Sequence, residues 1–172
     1  MPAAFALFDT ALGTAAVAWG DRGIVRTFLP EPTAQAARAR LARRLPDAHE
    51  AEPPEQVRRL IDDVVRLLAG DPVSLDWVSI DDEAVPELDR RVYAATRTIP
   101  PGSTRTYGEV ARLLGDATLA RRVGEALGRN PFPIVVPCHR VLAAGGRTGG
   151  FSARGGTETK MQLLRIEGAV LL

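Results

Sequence analysis

Cys138 stands between Pro137 and His139, with Arg140 next and the apolar run Ile134-Val135-Val136 before it. The thiolate is the nucleophilic form of cysteine, and an adjacent His or cation favours it. The stretch Asn130-Pro131-Phe132-Pro133-Ile134-Val135-Val136-Pro137-Cys138-His139-Arg140-Val141 therefore carries the neighbours a reactive thiol requires. It predicts a thiolate that forms below the ~8.5 of a free thiol. Cys138 is the only cysteine of the 172 residues, which excludes an internal disulfide. One Cys and two His, His49 and His139, cannot supply the usual zinc ligand set, and no metal or other cofactor is expected.

Charge divides the chain. Residues 1–85 hold 9 Arg and no Lys against 14 acidic residues, a net of −5. Residues 86–172 hold 12 Arg and Lys160 against 7 acidic residues, a net of +6. A basic C-terminal half points to a polyanionic partner there, although Arg-rich helices can also be merely solvated. The acidic linker Asp81–Pro86 lies where the sign changes and predicts two domains, 1–85 and 86–172. No apolar run reaches the ~18 residues of a membrane span. The Ala-rich start lacks a basic segment and is interrupted by Asp9 and Gly13, so it reads as structure and the expected location is the cytoplasm.

The elements that must position Cys138 follow from periodicity. Ala3 to Leu29 reads as a β-meander, turning near Leu12-Gly13 and at Gly20-Asp21-Arg22-Gly23, with Pro30 ending the third strand. Thr33 is the expected N-cap of a helix running to Leu45. Pro46–Pro54 reads as a loop, with His49 exposed and without a role. Val57, Leu60, Ile61, Val64, Val65, Leu67 and Leu68 recur at helical spacing, and Gly70 closes that helix. Val73–Ile80 reads as a short strand, and Trp19 and Trp77 as core. Beyond the linker, helices are expected at Pro86–Thr98, Tyr107–Leu114, Ala117–Leu127 and Glu158–Glu167. Gly115-Asp116 gives the middle pair helix-turn-helix spacing.

Pro137-Cys138-His139-Arg140-Val141 resembles the active-site pentapeptide of the O6-alkylguanine-DNA alkyltransferases, the methylated-DNA–protein-cysteine methyltransferases. A given pentapeptide arises by chance about once in 20,000 chains of this length, so the motif is specific. Further similarities accompany it in order: Ile99-Pro100-Pro101-Gly102 with Thr106-Tyr107-Gly108, then Ala120-Arg121-Arg122-Val123-Gly124, Asn130-Pro131, and Ile166-Glu167-Gly168. The strong resemblance covers about residues 87–168; the N-terminal part fits in its strand pattern alone. The resemblance implies an α/β protein. Its N-terminal domain would be a ribonuclease-H-like α/β roll with an antiparallel sheet, and its C-terminal domain a mainly helical, winged helix-turn-helix-like one.

It also implies roles. Cys138 would accept the alkyl group irreversibly, His139 would take its proton through a water, and Glu167 would polarise His139. Arg121 would enter the duplex from the minor groove and fill the gap left by the flipped guanine. Tyr107 would crowd a phosphate and donate to guanine N3, and Asn130 would brace the turn before the active-site strand. The carbonyls of Cys138 and Val141 would accept from the guanine amino group, and the Ser152 backbone would donate to O6. Leu127, Pro133, Phe151 and Lys160 would complete the pocket. Ala120 and Gly124 give the recognition helix a small face for the groove, with Arg122, Arg129 and Arg105 as phosphate contacts. The implied partner is double-stranded DNA containing O6-alkylguanine, with no membrane and no obligate protein partner. Two departures stand out. The loop Gly150-Phe151-Ser152-Ala153-Arg154-Gly155-Gly156 is about two residues longer than the family's, with Phe where Tyr is common, and Tyr93 replaces a common Trp.

Other classes fit less well. A damage-sensing relative without transfer would lack the cysteine, and a transcription regulator would not require Pro-Cys-His-Arg. Gly150-Phe151-Ser152-Ala153-Arg154 fails the serine-hydrolase nucleophile pattern at Arg154. Cysteine proteases rarely place Cys and His side by side.

Overall fold

The computed structural model describes residues 2–146 and 156–169. The chain forms two compact units. One runs through Glu83 and takes in Pro131–Val135; the other comprises Ala84–Asn130 and the chain from Val136 on.

In the first unit, strands β1 (Ala4–Thr10), β2 (Gly13–Gly20) and β3 (Gly23–Glu31) form an antiparallel meander. Its turns need glycine. Gly13 sits at φ +127° and Gly23 at φ +126°, and a Cβ would fall 2.2 Å from the Glu31 carbonyl oxygen at the first and 2.5 Å from that of Ser79 at the second. Helix α1 (Ala34–Arg44) follows; as expected, the Thr33 hydroxyl caps it by accepting from Ala36 N at 3.1 Å. Leu41 of α1 packs with Phe5, Ala16, Ala18 and Phe28, a single face of the sheet. Thr14 to Ala18 of β2 are all buried, because helices cover both sheet faces; α2 (Glu55–Leu68) lies against β1. The helical spacing read in α2 holds: Val57, Leu60, Val64, Leu67 and Leu68 are buried.

Four expectations fail here. Pro30 does not end β3, which continues to Glu31. The register slips by one residue between Thr14↔Glu31 and Ala16↔Phe28, so Pro30 lies at a bulge, on a strand at one end of the order β3-β2-β1-β4, where a missing N–H is tolerated. Pro46–Pro54 is not wholly loop, since His49–Glu50 pair in parallel with Ala4–Phe5 as strand β4; His49 is nonetheless exposed. Val73–Ile80 is not a strand. Only Ile80 bridges, to Ile24, with Ile24 N donating to Ser79 O at 2.9 Å. The tryptophans are half-buried rather than core. Trp77 donates from Nε1 to Asp63 at 3.0 Å and carries the Arg59 guanidinium 4.0 Å above its ring.

The outer edge of β3 is also covered by the returning segment. Thr27 N donates to Pro131 O at 3.1 Å and Thr27 Oγ1 to Pro133 O at 2.7 Å. Ile134, in this segment, holds φ +75°, a left-handed conformation that costs a β-branched residue energy.

The second unit holds α3 (Glu87–Thr96), α4 (Tyr107–Leu113), α5 (Ala120–Gly128) and α6 (Gly156–Ile166), with the parallel pair β5 (Arg105–Thr106) and β6 (Val141–Leu142). Six α-helices and a small, mainly antiparallel sheet thus make a mixed α/β protein among the described residues. The α4–α5 connection contains Gly115 at φ +89° and a 3-10 turn, Ala117–Leu119, capped by Asp116. Helices α3, α4 and α5 pack on one another around Val92, Val110, Val123 and Ala126, each with no exposed surface. Among the described residues no helix is long and apolar enough to cross a membrane.

Candidate active site

Cys138 opens a 3-10 turn, Cys138–Arg140, that leads directly into β6. Two contacts shape the approach: Asn130 Nδ2 donates to Val136 O at 2.9 Å, and Cys138 N donates to the same carbonyl at 2.7 Å. β6 pairs with β5, Val141 opposite Arg105 and Leu142 opposite Thr106. Thr106 is also the N-cap of α4, in a capping box with Glu109 at 3.1 and 3.0 Å. The pairing thus ties the cysteine's turn to the first residue of α4, Tyr107.

Four charged or titratable side chains are buried around this turn. His139 exposes 2%, Glu167 4% and Arg140 7% of their side chains, and Lys160 is as deeply buried. Such burial is tolerated only with partners. His139 Nε2 lies 2.9 Å from Glu167 Oε1. Arg140 donates to both Glu167 oxygens, at 2.9 and 2.7 Å, and to Ile99 O at 2.7 Å. Lys160 Nζ donates to Val141 O at 2.7 Å and lies 5.9 Å from the Tyr107 ring centre.

Burial alone would push the Glu167 carboxyl up, but hydrogen bonds from Arg140 and His139 hold it at about 2, so it is a carboxylate. Burial lowers His139, against the pull of Glu167, so its ring is neutral at rest. Burial lowers Lys160 to about 8, with Cys138 pulling the other way. Cys138 departs from the sequence expectation. Part of its surface is accessible, yet protein surrounds it on most sides, and this desolvation pushes the thiol up despite a hydrogen bond from Asn130 and the charge of Lys160. The resting form is the thiol, and a base must take its proton when it reacts.

The remaining expected residues lie as follows. Arg121 projects from α5 with 92% of its side chain exposed, loosely paired to Glu125 at 3.4 Å. Arg122 and Arg105 are exposed too, and Ala120 is half-buried. A Cβ on Gly124 would lie 3.9 Å from the Tyr107 ring, in ordinary contact. Leu127 is buried on α5, and Val141 is fully buried. Pro133 belongs to the first unit, where its carbonyl accepts from Thr27. Phe151 and Ser152 lie outside the described residues. Arg129, another expected phosphate contact, forks onto buried Asp89 at 3.1 and 3.0 Å. The sequence reading missed Asp89 and the contacts of Arg140. Arg140 stood inside the pentapeptide without a role, and nothing in the sequence links Asp89 to a residue forty positions on.

The family model described as "6-O-methylguanine DNA methyltransferase, DNA binding domain" matches residues 87–169. The methylated-DNA–protein-cysteine methyltransferase of Methanothermobacter thermautotrophicus is 36% identical over 155 residues, spanning 90% of this chain and 80% of that relative. The chain belongs to this family. The methyltransferase family's Mycolicibacterium paratuberculosis member is 51% identical over 81 residues, which is 47% of this chain and 48% of that one. Among solved structures, Mycobacterium tuberculosis OGT in complex with DNA matches with a TM-score of 0.76 at 30% identity, over 96% of this chain and 92% of that one. The O6-methylguanine-DNA methyltransferase of Pyrococcus kodakaraensis matches with a TM-score of 0.70 at 27% identity, over 97% and 99%.

Proposed function

We propose that this protein repairs double-stranded DNA by taking the alkyl group of O6-alkylguanine onto Cys138 Sγ, once per molecule and irreversibly. The observation that carries the reading is the turn at Cys138. The family transfers alkyl groups to a protein cysteine, this sequence has only one, and a buried His139–Glu167 pair adjoins it. The thiol proton passes to His139, directly or through a water, as Sγ attacks the alkyl carbon. The S–C bond forms as the C–O6 bond breaks, and the electron pair stays on guanine, which regains a proton on its ring. Donors that bind the developing charge on O6 and N3 more tightly than the ground state lower the barrier. The Ser152 N–H and the Tyr107 hydroxyl are assigned those parts. The thioether has no easy leaving group, so no turnover follows.

Helices α4 and α5 with the turn between them are read as the helix-turn-helix of a winged domain, and the sheet with α1 and α2 as a ribonuclease-H-like roll. Arg121, exposed and paired with Glu125 one turn on, is assigned the gap left by the flipped base, and Arg122 a phosphate. Ala120 and Gly124 let the α5 backbone approach the groove. Asn130 is assigned to brace the turn at Cys138, and Leu127, Val141 and Lys160 to line the pocket. The protein is expected to act in the cytoplasm, with no obligate protein partner. Intact mass after incubation with an oligonucleotide carrying O6-methylguanine tests this. One methyl equivalent should appear, on the peptide holding Cys138, and Cys138→Ser should bind DNA without gaining mass. More than one substrate consumed per protein molecule would overturn the single-use mechanism.

A further inference from the structure

Arg140 belongs to the pentapeptide but takes no part in the reaction as written above. Its geometry is nonetheless tightly fixed. Nε and Nη2 fork onto Oε1 and Oε2 of Glu167 at 2.9 and 2.7 Å, and Nη1 donates to Ile99 O at 2.7 Å. Glu167 Oε1 also meets His139 Nε2 at 2.9 Å. All three side chains are more than nine-tenths buried.

The consequence is clearest with the guanidinium taken away. A carboxyl in so dry a setting favours its neutral form, and a neutral carboxyl is a donor. Facing His139 Nε2, it would donate, and the ring's own hydrogen would move to Nδ1. The lone pair of the imidazole would then be engaged by the carboxyl and withdrawn from chemistry. With Arg140 in place, both carboxylate oxygens accept from a permanent cation, and Glu167 can only accept. His139 Nε2 must therefore carry the hydrogen, and Nδ1 keeps its lone pair. A general base needs that lone pair within reach of the proton it takes.

We propose that Arg140 is a positioning residue for alkyl transfer: by forking onto Glu167 it fixes His139 as the Nε2–H tautomer and leaves Nδ1 to receive the Cys138 proton. This rests on the reading that His139 accepts the thiol proton. The charges facing His139 are the Glu167 carboxylate and the cations Arg140 and Lys160. One carboxylate shared between two partners holds an imidazolium only weakly. The proton gained from Sγ is therefore readily passed on, to guanine as the C–O6 bond breaks.

The chain has two histidines, and His49 is exposed in the first unit, so it serves as a reference signal. Nitrogen NMR of 15N-histidine-labelled protein reads the tautomer directly. Wild-type His139 should be neutral and Nε2–H at pH 7, with His49 giving a separate signal. Arg140→Met should give an Nδ1–H or charged ring. Methyl transfer at pH 7 should slow about a hundredfold, the lower end of what a positioned base contributes, and its acid limb should move up in pH. Arg140→Lys retains a cation and should restore the tautomer and most of the rate. A wild-type His139 that is Nδ1–H or charged at neutral pH overturns the inference. So does an Arg140→Met protein that is slow with tautomer and pH profile unchanged, because that marks a merely structural arginine. If Arg140→Met does not fold, the wild-type tautomer and the Arg140→Lys pH profile decide. Wild-type protein that gains a methyl while its His139 is Nδ1–H sinks this inference alone. Wild-type protein that gains none sinks the underlying reading as well.

Discussion

Arg121 and Arg140 lie in the same unit, and each pairs with a glutamate. Arg121 shows 92% of its side chain to solvent and touches Glu125 at 3.4 Å; Arg140 shows 7% and grips Glu167 through two hydrogen bonds. An exposed i,i+4 pair is worth ~0.2–0.5 kcal/mol and releases its arginine readily. Removing one partner from a buried, forked pair costs about 3–5 kcal/mol, because the other charge is stranded. The helix proposed to face DNA keeps its cations adjustable. The turn proposed to carry the chemistry locks its cations in place.

The largest effect expected from this contrast is on acid stability. Glu167 is held at about 2 in the folded protein, below the ordinary 4.5, and a depressed carboxylate stabilises above its unfolded value. That contribution, about 3 kcal/mol by linkage, should be complete above about pH 4.5 and drain away as pH falls toward 2. Urea midpoints measured down through this window should fall steeply for wild type and much less for Glu167→Gln, which is already less stable at neutral pH. Equal pH dependence of the two proteins would show that the buried pair stores no such energy.

On the exposed side, Arg121→Ala should slow transfer from duplex DNA about a hundredfold, since the flipped state costs a few kcal/mol to hold open. Transfer from free O6-benzylguanine needs no flipping and should hardly change. Equal slowing with both substrates would make Arg121 structural and Arg122 the intercalating residue.

The smallest effect separates two arginines that look alike in sequence. Arg122→Ala should flatten the dependence of DNA affinity on salt by about one unit of slope, as loss of one phosphate contact does. Arg129→Ala should leave that slope unchanged and instead cost ~1 kcal/mol of stability, because Asp89 is left buried with its partner gone. Salt titrations and urea midpoints on both variants would sharpen the division between adjustable and committed cations, or erase it.

Much of this was legible in the sequence where the signal is local. The pentapeptide and the ordered motifs around it marked the same stretch that the family model matches. Gly13 and the Gly20–Gly23 turn placed the meander, and apolar spacing placed α2. What escaped depends on partners far along the chain. His49–Glu50 is a strand only because the edge of β1 accepts it, and Val73–Ile80 has strand-like composition but finds a single bridge. Pro30 looked like a terminator because nothing local announces a bulge on an edge strand. The Cys138 thiol was misjudged for a related reason: its helpful neighbours are adjacent in sequence, whereas the desolvation that outweighs them comes from the whole fold.

The contacts of Thr27 with Pro131 and Pro133 also set an order of events during synthesis. β3 leaves the ribosome early, but the carbonyls that cover its Thr27 edge arrive only after α3, α4 and α5 have been made, the hydroxyl bond spanning 106 positions. A nascent chain halted at Asn130 holds a complete meander with that edge bare, a surface open to pairing with another strand. Completion of the first unit and emergence of the Cys138 turn are therefore nearly simultaneous, and the finished sheet and the Cys138 thiol come off the ribosome together.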